Sequence, residues 1–450
     1  MTRETRQGAT AYATDSTERP PVRVSYVIVT HNRRDALLHT LEKVREATPW
    51  PAEQWEVWVV DNASTDGTAE AVRGRWPEVR YLRRPTNEGV WARSLAFEPA
   101  RGEYVVLLDD DSYPVGDAVV KSVGYLDRHP DCAAVVGKVV LPDGSEEGCA
   151  FPAVMLSGAV CIRRRVLLSR EQGGVGGFRP EFFRKAGEYD LSYRIWEAGY
   201  RIERFDDVVY RHDKVMGGRS KPFAHRMDCR NNLILVERYL PRALRRVYRR
   251  DVAQRYTLLA RHDGCGRAAV WARLEAQAWR LREMLRGRQT LSPATVETLY
   301  QLERQRRLVR QWAELYRPQR VVIADFSKNL YATYRACVDA GLVVTAIADD
   351  HPAFRGELYR GLPVLSLGEA LATAPDGVVL SNINPAQCRQ RARRLSEAFR
   401  GPLLTLWQPS YLSSSELGGS DAAAQAETGP PEATPTAFGG READGTRAAA

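Results

Sequence analysis

Across its 450 residues the chain has no apolar run near the roughly 20 residues that a membrane-crossing helix needs. Its N-terminus, "MTRETRQGATAYATDSTERPP", lacks the apolar core of a secretion signal. A cytoplasmic location is therefore expected, with the inner face of the cytoplasmic membrane as a peripheral alternative. Cysteine is sparse. Cys132, Cys149, Cys161, Cys229, Cys265, Cys337 and Cys388 stand singly without a C-x-x-C pair, which argues against a zinc site or a disulfide framework. Reduced, packed thiols are expected instead. Lysine is missing from residues 241–320, where 19 arginines face seven acidic residues. That local excess is larger than the net +9 of the whole chain, so the basicity belongs to one segment.

What is present is a globular composition, 44% apolar and 27% charged, in a chain long enough for two or three domains. Residues 1–20 and 411–450 are rich in Ser, Gly, Ala, Pro and Thr and poor in large apolar side chains, so both are expected to be disordered tails. Within 21–240, short β-branched runs alternate with helix-like stretches: "VRVSYVIVT", "RDALLHTLEKVREA", "WEVWVVD", "GTAEAVRGRW", "VRYLRR", "GEYVVLLDDD". Strands that are apolar throughout fit a mostly parallel sheet with helices on both faces, an α/β fold. Residues 241–317 read as an Arg-rich helical connector. From 318 to 410, "RVVIADFS", "LVVTAIADD" and "DGVVLSN" alternate with helices as a small Rossmann-like domain. The first turn of that domain, "ADFSKNLY", lacks G-x-G-x-x-G, so a structural or docking role is favoured over a second dinucleotide site.

In open parallel sheets, ligands bind beyond the carboxyl ends of the strands. Three polar clusters fall there: "THNRR", "DNASTDGT" and "LLDDDSYP". Taken alone, the three aspartates of "LLDDDSYP" fit a helix-capping turn better than a cation site. Their neighbours change the balance. "VSYVIVTHNRRDALLHTLEKV", "VVDNASTDGT", "RPTNEGVWARS", "GEYVVLLDDDSYP" and "FRKAGEYDLSYRIWEAGYRI" resemble, in order and spacing, family 2 glycosyltransferases, a nucleotide-sugar-dependent family with the GT-A fold. The resemblance covers about residues 21–240.

That resemblance implies a metal-dependent, inverting transfer of one sugar from a nucleotide-diphosphate sugar to a hydroxyl of a glycan or lipid-linked acceptor, in cell-envelope or exopolysaccharide synthesis. It implies Mg2+ or Mn2+ held by Asp109 and Asp111, with Asp111 as the direct ligand, Asp109 acting through water and His212 completing the shell. Thr30, Asn32, Asp61, Arg93 and Asp110 would contact the donor nucleotide. Glu188 would be the base, although Gly187 stands where relatives carry a first acid. Asp190, Arg230 and Trp91 are further substrate-contact candidates, with a helix cap, sheet packing and core packing as their structural alternatives. The Q-x-x-R-W sequence of processive synthases is absent from its expected region, which favours single-sugar transfer.

Two other readings stand beside this one: a non-catalytic scaffold that keeps a nucleotide-sugar site, and a nucleotide-sugar nucleotidyltransferase. The second should carry a Gly-rich loop after its first strand, and "THNRRDAL" has no glycine. For the Arg-rich helices, a solvated or bridging face ranks before an anionic membrane surface, and no nucleic-acid motif is present.

Overall fold

The computed structural model describes residues 22–214 and 220–417. The expected tails at 1–20 and 418–450 lie outside the described residues. The first sheet holds nine strands: β1 (Val24–Thr30), β2 (Trp55–Asp61), β3 (Arg80–Arg83), β4 (Tyr104–Asp109), β5 (Ser112–Pro114), β6 (Cys132–Val140), β7 (Glu146–Glu147), β8 (Val160–Arg163) and β9 (Arg201–His212). Their order is β3-β2-β1-β4-β8-β6-β9-β5, with β7 paired to β6. Pairing is parallel from β3 through β4 and again between β6 and β9, while β8 runs antiparallel to both of its neighbours.

The continuous apolar runs of β1 and β4 arise because both faces of the sheet are covered. Tyr26, Ile28, Val106 and Leu108 enter one buried cluster with the helix Arg34–Ala47, and Val27, Val105 and Leu107 enter another with Leu191 and Ile195 of the helix Gly187–Glu197. Each cluster removes several large side chains from water, at about 1.5–3 kcal/mol for each one fully buried.

A second sheet contains β10 (Arg320–Ala324), β11 (Val343–Ala348), β12 (Leu358–Tyr359), β13 (Leu362–Leu365), β14 (Gly377–Leu380) and β15 (Leu403–Thr405) in the order β12-β13-β11-β10-β14-β15. All its pairs are parallel except β12 with β13. This is the Rossmann-like arrangement expected for 318–410.

The 241–317 segment is helical as expected, but it is shared between neighbours. Its helices Arg242–His262 and Gly266–Arg286 pack against Lys221–Tyr239, whereas Leu302–Tyr316 packs on Leu330–Asp339 of the C-terminal unit. Between the two sheets lies one aromatic-rich cluster. Phe151, Tyr189 and Tyr193 of the first domain meet Tyr239, Tyr248 and Tyr300, with Ile383 and Leu406 of the C-terminal unit in the same cluster. The Tyr193 and Tyr300 hydroxyls are 3.0 Å apart, and the Tyr248 and Tyr300 ring centroids 4.9 Å.

The chain then returns to the first domain. The Asp206 N–H donates to Ser410 O, and Leu412 is buried in the first core cluster. The described start of the expected 411–450 tail is therefore packed, because one large apolar side chain finds a place there. All seven cysteines are buried and free of disulfides.

Candidate functional site

Parallel register brings the strand ends level. Thr30 pairs with Asp61 across β1 and β2, and Val29 pairs with Asp109 across β1 and β4. Beyond these ends opens a crevice of about 1060 Å³, which Thr30, Asn32, Asp109, Asp110, Asp111, Glu188 and His212 help to line. That volume suits a ligand the size of a nucleotide sugar.

The three aspartates have separate surroundings. Asp109, the most exposed, accepts from Arg93 Nη2 at 2.8 Å. Asp110 accepts from Thr30 Oγ1 at 2.9 Å and from Arg33 Nη1 at 2.7 Å. Burial raises its carboxyl to about 6, against the pull of Arg33. The same Arg33 nitrogen donates to Asp111 Oδ2 at 2.8 Å. Burial alone would raise the Asp111 carboxyl, but His212 and Arg33 together hold it down at about 2.

Asp111 Oδ1 and His212 Nε2 face each other at 3.1 Å. Adjacent ligands of an octahedral cation, each about 2.1 Å from it, stand roughly 3 Å apart, so this pair fits a divalent ion. On the far side of the ring, His212 Nδ1 lies 2.6 Å from Glu147 Oε2, the outer carboxylate that commonly orients a metal-binding imidazole. Among the described residues no group of three or more His, Cys, Asp or Glu side chains forms a ready cation cage. Two protein ligands with the remainder from phosphate and water is the usual arrangement for Mg2+. Without an ion, the imidazolium itself supplies the positive charge: burial would lower its pKa, but Asp111 and Glu147 raise it to about 10.

Glu188 enters from another direction, in the first turn of the helix Gly187–Glu197. The preceding residues Lys185 and Ala186 both have positive φ, 69° and 63°, a pair of left-handed residues that neighbouring contacts must hold in place. Asn231 does so, donating from Nδ2 to the carbonyls of Arg184 and Lys185 at 2.8 Å each. Burial raises the Glu188 carboxyl above the usual range, while Lys328 and Lys185 oppose the rise. Such a shift brings a carboxylate toward the range of a general base.

Residues 25–149 match the family model described as glycosyl transferase family 2. The match covers just over a quarter of the chain. Among curated proteins, a Sinorhizobium fredii protein named uncharacterized protein y4gI is 32% identical over 45% of this chain and 24% of its own length. Chondroitin synthase of Pasteurella multocida is 26% identical over 42% of this chain and 20% of its own length. The chain thus spans a quarter or less of these two relatives. Among solved structures, S. aureus TarS 1–349 in complex with UDP-GlcNAc aligns at a TM-score of 0.41 and 16% identity, covering 71% of this chain and 93% of that one.

Within the first domain, several expected contacts lie away from the crevice. Asp61 is fully buried, with its oxygens accepting from the Ser64 N–H at 2.9 Å and the Tyr81 hydroxyl at 2.7 Å. Arg93, 0% exposed, turns inward from the Gly89–Ala96 turn and grips Asp109 and Ser157 O; its fork braces the acidic loop and does not reach the crevice. Trp91 packs against the second core cluster. Asp190 is fully buried among Arg194, Arg238 and Tyr239, joining the Gly187–Glu197 helix to Lys221–Tyr239. Arg230 donates to Glu181 O and to Asn231 Oδ1, so it steadies the loop before Glu188.

Sequence reasoning assigned no role to Arg33, Glu147 or Lys328. Arg33 stands in the quoted "THNRR", but only the fold shows it bridging two aspartates. Lys328 comes from the C-terminal unit: its Nζ donates to Asn232 Oδ1 at 2.9 Å and lies 4.3 Å from the Tyr189 ring centroid. Burial lowers its pKa to about 8, with Asp228, Cys149 and Glu188 opposing and Arg255 adding to the fall.

Proposed function

We propose that the chain transfers a single sugar, with inversion, from a nucleotide-diphosphate sugar to a hydroxyl of a glycan or lipid-linked acceptor. The convergence of Asp111, His212 and Glu188 from three separate segments on one strand-end crevice carries this reading. Asp111 and His212 would hold Mg2+ or Mn2+, and Glu147 would keep the imidazole oriented. When bound, the cation neutralises charge on the diphosphate as it leaves.

The protein's own groups supply the rest. Thr30 and Arg33 hold the Asp110 carboxylate and so brace the loop between β4 and β5. Asp109 faces the crevice with one oxygen engaged by Arg93, a placement that suits contact through water. Thr30 and Asn32 line the nucleotide side. Asn32 is tied to the next loop by accepting from the Thr65 N–H at 2.7 Å. Glu188, whose carboxyl is raised by burial, would take the proton of the acceptor hydroxyl as the bond to the sugar forms. A lipid-linked acceptor would place the chain at a membrane through residues 241–320. Among the described residues no helix is long and apolar enough to cross one.

The test is calorimetry with a panel of nucleoside diphosphates, with and without Mn2+, followed by a transfer assay on Glu188→Gln. Metal-dependent binding of one nucleotide is expected, with transfer falling about 10²–10⁴-fold in the variant while donor binding is retained. Absence of nucleotide binding, or unchanged turnover in the variant, refutes the proposal.

A further inference from the structure

The helix Gly266–Arg286 is amphipathic in the wrong sense for a solvated surface. Its buried side carries Ala269, Ala272, Ala276 and Glu283, which is bound to Arg238, with Trp279 as the one large apolar side chain packed inward. Its outward side carries Val270, Trp271, Leu274, Leu281, Met284 and Leu285, all more than half exposed, with Leu285 at 79%. These are six of the fourteen exposed large apolar side chains among the described residues. A helix dissolved in water places its large apolar groups inward, so this face has something else to meet.

At 100° per residue the six occupy an arc of about 140°. Arg273 borders one edge of the arc, and Arg282 and Arg286 border the other, while Arg267 lies one turn before its start. All four arginines are exposed, and the helix exposes no carboxylate beside them, since Glu275 is half-buried and Glu283 buried. From Val270 to Leu285 the stripe runs about 22 Å.

We infer that this helix is a membrane-docking face, lying in the plane of an anionic lipid surface with its apolar stripe between the headgroups and its arginines on their phosphates. Tryptophan and leucine on one side with arginine on the flanks is the chemistry of interfacial helices. The charge decides against a second copy of the chain, because pairing two such faces would set arginine-flanked stripes together with no exposed carboxylate to answer them. Nucleic acid fits worse, since the centre of the face is aliphatic. The inference deepens the reading of a lipid-linked acceptor and rests on that reading for its purpose, while the surface itself does not depend on it.

The experiment is co-sedimentation of the full chain with vesicles of phosphatidylcholine alone and of phosphatidylcholine mixed with phosphatidylglycerol. Binding is expected on the mixed vesicles only, weakening as salt is raised. W271E/L281E should bind them about tenfold or more weakly. Both positions are exposed, so an unchanged melting temperature shows that the fold is kept. Equal binding to both vesicle types, no binding to either, or full binding by the variant overturns the inference. So does light scattering that shows the native chain self-associated and the variant dissociated, which would make the face a contact between copies. Calorimetric nucleotide binding on the same preparations separates the outcomes: vesicle binding without nucleotide binding removes the transferase reading and leaves the docking face.

Discussion

Lys328 Nζ lies 4.3 Å from the centroid of the Tyr189 ring, so a cation from the C-terminal domain stands against the residue next to Glu188. Its charge opposes the rise that burial imposes on the Glu188 carboxyl. Replacing it by methionine keeps the packing and removes the charge. The acid limb of the pH–rate profile of Lys328→Met should therefore move to higher pH. A profile that does not move would leave Lys328 with a packing role only.

The same lysine has a stability signature. Its folded pKa of about 8 is below the ordinary value of 10.5, so between those pH values the unfolded chain holds a proton that the folded chain has released. From this group, stability is lowest below pH 8 and rises toward pH 10.5. Unfolding free energies from urea titrations across that window should climb for the native chain relative to Lys328→Met, by a difference on the order of 1–3 kcal/mol.

Asp111→Asn keeps the shape of the proposed cation site and removes its charge. Metal-dependent nucleotide binding should weaken by on the order of 100-fold, while binding without metal changes little; calorimetry with and without Mn2+ reads both.

Arg93→Ala should behave in the opposite way. The guanidinium is fully buried and paired, so its loss leaves a cavity and removes bonds to Ser157 O and Asp109. A loss of about 3 kcal/mol in urea unfolding is expected, with nucleotide affinity much less affected. A large fall in affinity at unchanged stability would return Arg93 to a direct contact.

Asn231→Ala removes two hydrogen bonds that hold the left-handed Lys185–Ala186 turn. Turnover should fall about tenfold or more while the donor Kd stays within about twofold, because the loosened turn carries Glu188 and not the nucleotide-side loops.

The strands were legible because burial on both faces leaves an unbroken apolar run, which "VSYVIV" and "YVVLL" show directly. Thr30, Asp111, Glu188 and His212 were legible as a set because resemblance supplied the order, and parallel register then placed the strand ends at one level. The direction of a side chain was not legible. Arg93 sits within a motif, but the turn Gly89–Ala96 aims it inward, and no spacing rule reports that. Lys328 was out of reach for a different reason: its partner Asn232 is 96 residues away in sequence, and the contact exists only because two sheets share a core. The stretch "ADFSKNLY" was notable for glycines it lacks, while its lysine is what reaches the first domain.

The aromatic cluster between the sheets bears on how the chain can be divided. Tyr193 and Tyr300 share a hydroxyl contact, Tyr248 lies against Tyr300, and Ile383 and Leu406 join the same cluster. Cutting the chain after residue 240 would strip Tyr248, Tyr300, Ile383 and Leu406 from this cluster and expose Phe151, Tyr189 and Tyr193 beside Glu188. The C-terminal unit is therefore not a detachable module but shares a buried core with the first domain, and the two should melt in one cooperative step.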